Sequence, residues 1–226
     1  MAKHKIAYAM SAAAVSLGSI FLAPLSVSAD IAHCVAADGL MAEGQIMDAS
    51  ELEYVITNGI EAVKVANDFT ISCQPTIMTT DFRLDLNGKT VNANAPWALD
   101  IETAGKTLTI EDTGEGGQII FNDAGIWVEG GANLTINSGT ISVPEGRGRG
   151  IVFRDGVFTL TGGVVSANNS TYTSGSNTFY YPTIVVLSDS SEATLNISGG
   201  TIDATNGTAL SVSGVTVSMT DGEIHG

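Results

Sequence analysis

Two cysteines, five prolines and three histidines are all that 226 residues carry of those types, and only nine residues are Lys or Arg. Each shortage excludes something. Two cysteines cannot build a disulfide-dense miniature scaffold, and so few histidines, without paired spacing, do not make a Cys/His metal cluster. Five prolines beside 26 glycines exclude collagen and proline-rich linkers. Nine bases against 24 acids leave a net charge of −15. That excludes a broad nucleic-acid surface, because phosphates must be met by Lys and Arg, and it excludes docking on anionic lipid. Charged residues make up only 15% of the chain and hydrophobic residues 44%, which is not the balance of a disordered chain. What remains is an acidic, Gly-rich, β-inclined chain, long enough to bury a sizeable core.

The first 29 residues read as an address. Lys3, His4 and Lys5 precede an apolar stretch from Ile6 to about Leu25, and Val27 and Ala29 put small side chains at the −3 and −1 positions of a signal-peptidase site. A secretory signal peptide over 1–29 is expected, with an N-terminal membrane anchor as the alternative. Past Leu25 no apolar run is long enough to span a bilayer, so no membrane insertion is expected after cleavage. An exported chain with two cysteines suggests one bridge, Cys34 to Cys73, with two free thiols as the alternative.

The rest of the chain repeats itself. Leu84-Asp-Leu-Asn-Gly-Lys-Thr-Val91, Leu134-Thr-Ile-Asn-Ser-Gly-Thr-Ile141 and Leu195-Asn-Ile-Ser-Gly-Gly-Thr-Ile202 have relatives starting at Leu108, Phe158 and Val217. Each is a short alternating strand, a Gly turn and a second short strand. A further strand precedes most of them, at Leu99–Ile101, Ile126–Val128, Ile151–Phe153, about Ile184–Leu187 and Leu210–Val212. Three short strands per unit of about 22–26 residues predict a parallel β-solenoid, in which each rung stacks on the next. An antiparallel β-sandwich is the alternative.

Alternation names the core. On the second strand the inward pairs are Leu84/Leu86, Leu108/Ile110, Leu134/Ile136, Phe158/Leu160, Leu195/Ile197 and Val217/Met219. On the third they are Val91/Ala93, Ile119/Phe121, Ile141/Val143, Val165/Ala167, Ile202/Ala204, and then Ile224. Outward columns are polar: Asp85, Thr109, Thr135, Thr159, Asn196 and Ser218 form one, and Asn92, Ile120, Ser142, Ser166, Asp203 and His225 another. Residues 30–59 differ. Asp48 to Gly59 reads as a helix with Ser50 as N-cap, Asn58-Gly59 as stop and Leu52, Val55 and Ile56 on one face. It would cover the open apolar end of the first rung, with Val63 to Ile71 as entry strand. Residues 60–226 are the repeats. The chain stops inside a rung at Glu223-Ile-His-Gly226, so more rungs, a stalk, a wall anchor or another covering element are expected beyond it.

The helix from Ser50 to Gly59, the entry strand and the Leu84–Val91 segment together resemble the opening of bacterial right-handed parallel β-helix repeat proteins, and the resemblance runs from Ser50 to Gly226. It implies an all-β fold, a right-handed parallel β-helix with a short N-terminal capping helix, on a secreted or cell-surface, adhesin-like protein. The same broad family includes polysaccharide lyases and hydrolases, so the resemblance speaks to fold more than to activity.

Candidate sites follow from what breaks the repeat. The insertion from Asn168 to Pro182 carries Tyr172, Phe179, Tyr180 and Tyr181 among Ser, Thr and Asn, a composition suited to sugar stacking or protein contact, and outward Trp127 offers a further platform. Arg147, Arg154 and Asp155 lie near Gly-Arg-Gly-Arg-Gly and are the first place to look for catalysis on an acidic polysaccharide. Asp203 and His225, on adjacent rungs, are the second. No cofactor and no metal are called for. The expected function is a non-catalytic, adhesin-like display module that binds an extracellular glycan or a surface protein. The alternative is a polysaccharide lyase or glycoside hydrolase, and a structural spacer is a minor one.

Overall fold

In the computed structural model the described residues are 32–226, less 96, 123, 145–148, 169–170, 175–176 and 189–192. For 124, 171–174, 177–180 and 187 the description covers the backbone alone. The signal-peptide reading and Arg147 therefore lie outside the described residues.

The chain from residue 32 winds as a parallel β-solenoid. Its second-strand stack runs Ala62–Val65, Phe82–Asp85, Thr107–Glu111, Asn133–Ile136 and Val157–Leu160, all parallel. Its third-strand stack runs Phe69–Ile71, Thr90–Ala93, Gln118–Phe121, Thr140–Val143 and Val164–Ala167. The two stacks merge in the long strands Thr194–Ala204 and Thr216–His225, which carry on through the Gly turn that separates the strands in earlier rungs. The first strands form a separate five-stranded parallel sheet of Leu99–Ile101, Ala124–Val128, Arg149–Arg154, Ile184–Leu187 and Leu210–Ser213. Rung-to-rung pairing is parallel throughout these stacks, which overturns the sandwich alternative. The insertion after Ala167 holds the antiparallel hairpin Thr171–Ser174 with Asn177–Tyr180.

The core follows the alternation. Leu108, Leu134, Phe158 and Leu195 form one buried ladder, and Ile119, Ile141, Val165 and Ile202 another. Leu99, Ile126, Ile151 and Ile184 line the third wall. In the last rung Val217, Met219 and Ile224 keep register with this core yet are 40–45% exposed, because among the described residues no strand lies on their far side. Rungs approach closely where side chains are absent: a Cβ on Gly125 would sit 1.8 Å from the Gly150 carbonyl oxygen of the next rung.

Three expectations need correction. The first repeat lies two residues from where its Leu-x-Leu pattern places it. Phe82, not Leu84, pairs with Leu108, and Leu84 pairs with Ile110. The offset comes with the longer turn of the following repeat, Glu111 to Gly117, against which the fully buried Leu86 packs. Asp85 consequently leaves the threonine column. It is only 3% exposed, pairs with Lys64 at 3.1 Å and accepts from the Asn87 amide and from the Thr113 amide and hydroxyl. Burial pushes its carboxyl up, but the Thr113 donors, Lys64 and the Asn87 amide outweigh that and hold it below its ordinary range.

The second correction concerns the helix, Ala49–Thr57, whose N-cap is Asp48 rather than Ser50. The Asp48 carboxylate accepts from the Ser50 and Glu51 amides and from the Ser50 hydroxyl. A carboxylate facing the free amides of a helix start is favoured by the dipole as well as by hydrogen bonding. Leu52, Val55 and Ile56 do join the core. Glu51 and Glu53 are buried too, the former accepting from the Met41 and Met47 amides, the latter from Thr76. Third, Val63 to Ile71 is not one entry strand but two: Ala62–Val65, which follows the short strand Gln45–Ile46 in the second-strand stack, and Phe69–Ile71, which begins the third-strand stack. Cys34 and Cys73 are joined by a disulfide, which ties the segment before the helix to the end of that first rung.

Candidate functional site

The outer face of the five-stranded sheet collects the chain's chemistry. Register pairs Leu99, Ile126 and Ile151 on the inside, so the residues after them form one row on the opposite side: Asp100 and Trp127, half-buried, and Val152, which is itself buried. Two positions on, Glu102, Glu129 and Arg154 form a second row at the sheet's edge, continuing the same register. Parallel rungs lie about 4.8 Å apart, so side chains separated by roughly a full turn of sequence become neighbours.

Trp97 and Trp127 meet edge to face with ring centroids 4.6 Å apart, and both residues are half-buried. Trp97 holds a left-handed backbone, φ 54°, a conformation that costs a bulky residue about 1 kcal/mol or more. In register beside Trp127, Asp100 is half-buried, and its Oδ1 has no solvent contact and no hydrogen-bond partner. Burial, and then the nearby Glu102 and Glu129 carboxyls, push the Asp100 carboxyl up to about 8. Burial also raises Glu102, and Glu129 adds to this by its charge and by a shared hydrogen bond. A hydrogen bond between two carboxyls requires a proton on one of them. Arg154 stands 3.9 Å from Glu129 and balances part of the charge. Among the described residues no group of three acids, His or Cys is arranged to hold a metal, so the carboxyls line a surface rather than converge on a point.

This arrangement makes a stability prediction. Unfolded, Asp100 ionises near its ordinary value of 3.8; folded, it holds its proton to about 8. The folded state binds the extra proton between those limits, so its contribution is full below 3.8 and is lost as pH rises towards 8. Asp100→Asn cannot titrate. The variant should gain on the parent as pH rises, by about 1–3 kcal/mol once the parent carboxyl would have to ionise in place. Urea unfolding at acidic and mildly alkaline pH measures this, and a constant difference between the two proteins would refute it.

The sequence-derived candidates are dispersed. Trp127 and Arg154 belong to the surface just described. Asp155 has a backbone φ of 58°, and its Oδ1 accepts from the Ser188 hydroxyl at 2.8 Å. Tyr181 is 9% exposed, and the Arg149 guanidinium lies 4.6 Å over its ring, so that ring is engaged in packing. Tyr172, Phe179 and Tyr180 sit on the insertion hairpin, with side chains outside the description. Asp203 and His225 are neighbours, Oδ1 to Nδ1 at 3.8 Å, with Glu223 Oε2 3.2 Å from the other ring nitrogen. All three are solvent-exposed on a flat face, where such pairs are worth little. A shallow depression of about 290 Å³ beside that column is lined by Ser142, Ser166, Asn168 and Thr205 with apolar neighbours, and holds no titratable side chain.

Trp97, Asp100, Glu102 and Glu129 were missed. A signal existed: writing the outward positions of the first strands as columns places Asp100 beside Trp127 and Glu102 beside Glu129 and Arg154. The repeat is clearer on the second and third strands, and the first strands are too short for their outward columns to stand out. No family model matches the chain, and no curated protein or solved structure matches it.

Proposed function

We propose that this protein is an extracellular, glycan-binding β-solenoid whose ligand lies against the Trp97–Trp127 pair, bordered by Asp100, Glu102, Glu129 and Arg154. The half-buried indole pair, edge to face at the surface, carries the reading. Sugar rings present apolar C–H faces that stack on aromatic rings, and their hydroxyls donate hydrogen bonds to carboxylates and accept them from guanidinium groups beside the ring. A rigid ladder of backbone hydrogen bonds beneath the face keeps these groups in place at little entropic cost on binding. Export and display outside the cell fit the N-terminal 29 residues and the single disulfide. Among the described residues no helix is long and apolar enough to cross a membrane.

A glycan array probed with the purified protein tests this. Binding should appear, and Trp127→Ala should weaken it at least about tenfold, which is about 1.4 kcal/mol. Binding unchanged in that variant would move the site elsewhere, with the insertion hairpin next in line through Tyr172→Ala and Tyr180→Ala.

A second reading, glycoside hydrolysis, draws on the Asp100 carboxyl, which burial and the neighbouring Glu102 and Glu129 push up to about 8. A buried acid that keeps its proton at neutral pH can serve as general acid beside an ionised partner. The same array supernatants, assayed for new reducing ends, decide it. Release abolished by Asp100→Asn would favour the enzyme, and no release would leave the binding module.

A further inference from the structure

We infer that the depression on the outer face of the third-strand stack, lined by Ser142, Ser166, Asn168 and Thr205, holds an uncharged sugar residue, a second contact for a glycan that also reaches the Trp97–Trp127 pair. This rests on the glycan-binding reading above and adds a site and a ligand class to it.

The sequence makes the hollow. One outward column of parallel rungs carries Ile120, Ser142, Ser166 and Asp203 in register. Two small side chains between two larger ones leave a dip of about 290 Å³. Rungs lie about 4.8 Å apart, so the two serine hydroxyls stand side by side. Past the inward residues Val143, Ala167 and Ala204 come Pro144, Asn168 and Thr205, which border the hollow where the strands end.

The groups that line it are open to a ligand. Among the described residues the Ser142, Ser166 and Thr205 hydroxyls have no hydrogen-bond partner. Asn168 accepts from the Asn206 side-chain amide at 3.0 Å through its oxygen, which leaves its own amide group to donate. Pro144 and Ala167 supply apolar surface between these groups. Hydroxyls that both donate and accept, one amide donor and an apolar patch are complementary to a sugar ring, which has hydroxyls of the same kind and an apolar C–H face. Charge narrows the class. A uronate would find no cation among the lining residues and would face Asp203, next in the column. An ammonium would give up its water where no carboxylate lines the hollow to replace it.

The two sites share an edge of the solenoid. Trp97 lies in the turn after Ala93, and Asn168 opens the turn after Ala167. The register Ala93, Phe121, Val143, Ala167 sets those turns three rungs apart, about 14 Å along the axis. A glycan lying along that edge meets both, and the second contact forms at the high effective concentration that the first provides.

Nuclear magnetic resonance titrations with tetramers of glucose, N-acetylglucosamine and galacturonic acid test the inference. At least one of the two neutral tetramers should shift the Ser142, Ser166 and Thr205 amides together with the Trp127 indole N–H. Ser166→Ile repeats the residue that the column already carries at Ile120, so the fold is not at stake. It should abolish the third-strand shifts and weaken binding of that tetramer about fivefold or more, while the Trp127 indole still responds. Thr205→Val keeps the shape without the hydroxyl and should weaken binding by less. Shifts confined to the indoles, or third-strand shifts that survive Ser166→Ile, would overturn the second site and leave glycan binding standing. Galacturonic tetramer shifting the third-strand amides as strongly as the neutral ones would overturn the uncharged class. No shift with any sugar, in protein shown folded by circular dichroism, would overturn the glycan reading and this site with it.

Discussion

Phe158→Ala should cost about 3–5 kcal/mol of unfolding free energy, a large share of what a domain of this size has to spare. Phe158 is fully buried. It stands in register between Leu134 on one rung and Leu195 on the next, with the Phe153 ring 5.8 Å away. Truncation removes a ring from the centre of the ladder. The walls around it are strands held by hydrogen bonds to both neighbouring rungs, so they cannot fall inwards to fill the space. Phe158→Leu keeps most of the volume and should cost about 1–2 kcal/mol. Urea unfolding followed by circular dichroism gives both values. A loss under about 1 kcal/mol for the alanine variant would mean that the rungs are less rigid than their pairing implies. A shallower transition would show the solenoid parting at the weakened rung, since rungs are stabilised by their immediate neighbours.

Loss of the Cys34–Cys73 bridge should be of similar size, about 4 kcal/mol on the chain-entropy account for a separation of 39 residues. The bridge closes a loop that contains the capping helix and the first rung. Its two ends are also held by the His33–Gln74 bridge and by the Cys34 amide donating to the Gln74 carbonyl. Those bonds alone do not restrict the unfolded chain. Cys34→Ser with Cys73→Ser should therefore lower the unfolding midpoint and should let the helix end open first. Hydrogen exchange would then show Leu52 and Val55 amides losing protection ahead of those in the central rungs. Uniform loss of protection would place the bridge's effect on the whole solenoid.

Both effects rest on the repeat, and the repeat was legible. A strand alternates inward and outward every residue whatever surrounds it, so Leu134/Ile136, Phe158/Leu160 and Leu195/Ile197 identify themselves as core from the chain alone. The helix was legible for the same local reason, the spacing of Leu52, Val55 and Ile56. Its N-cap was not, because Asp48 and Ser50 are both competent caps and only packing of the flanking segment chose between them. The Leu84 register was misread because turn length, not strand pattern, sets how one rung lands on the next.

The outer face shows the same division more sharply. That Asp100, Trp127, Glu129 and Arg154 point outwards follows from their strands' alternation, and so belongs to the sequence by itself. That they stand together, with Trp97 turned against Trp127 and Asp100 Oδ1 out of solvent without a partner, was decided by the tertiary structure alone. The reason is geometric. Residues some 25 positions apart become neighbours when each coil closes with the same pitch, and closure depends on every turn in between. Burial then sets the chemistry. Asp100 would ionise like any exposed carboxyl, and it keeps its proton here because water is excluded and two more carboxyls lie beside it.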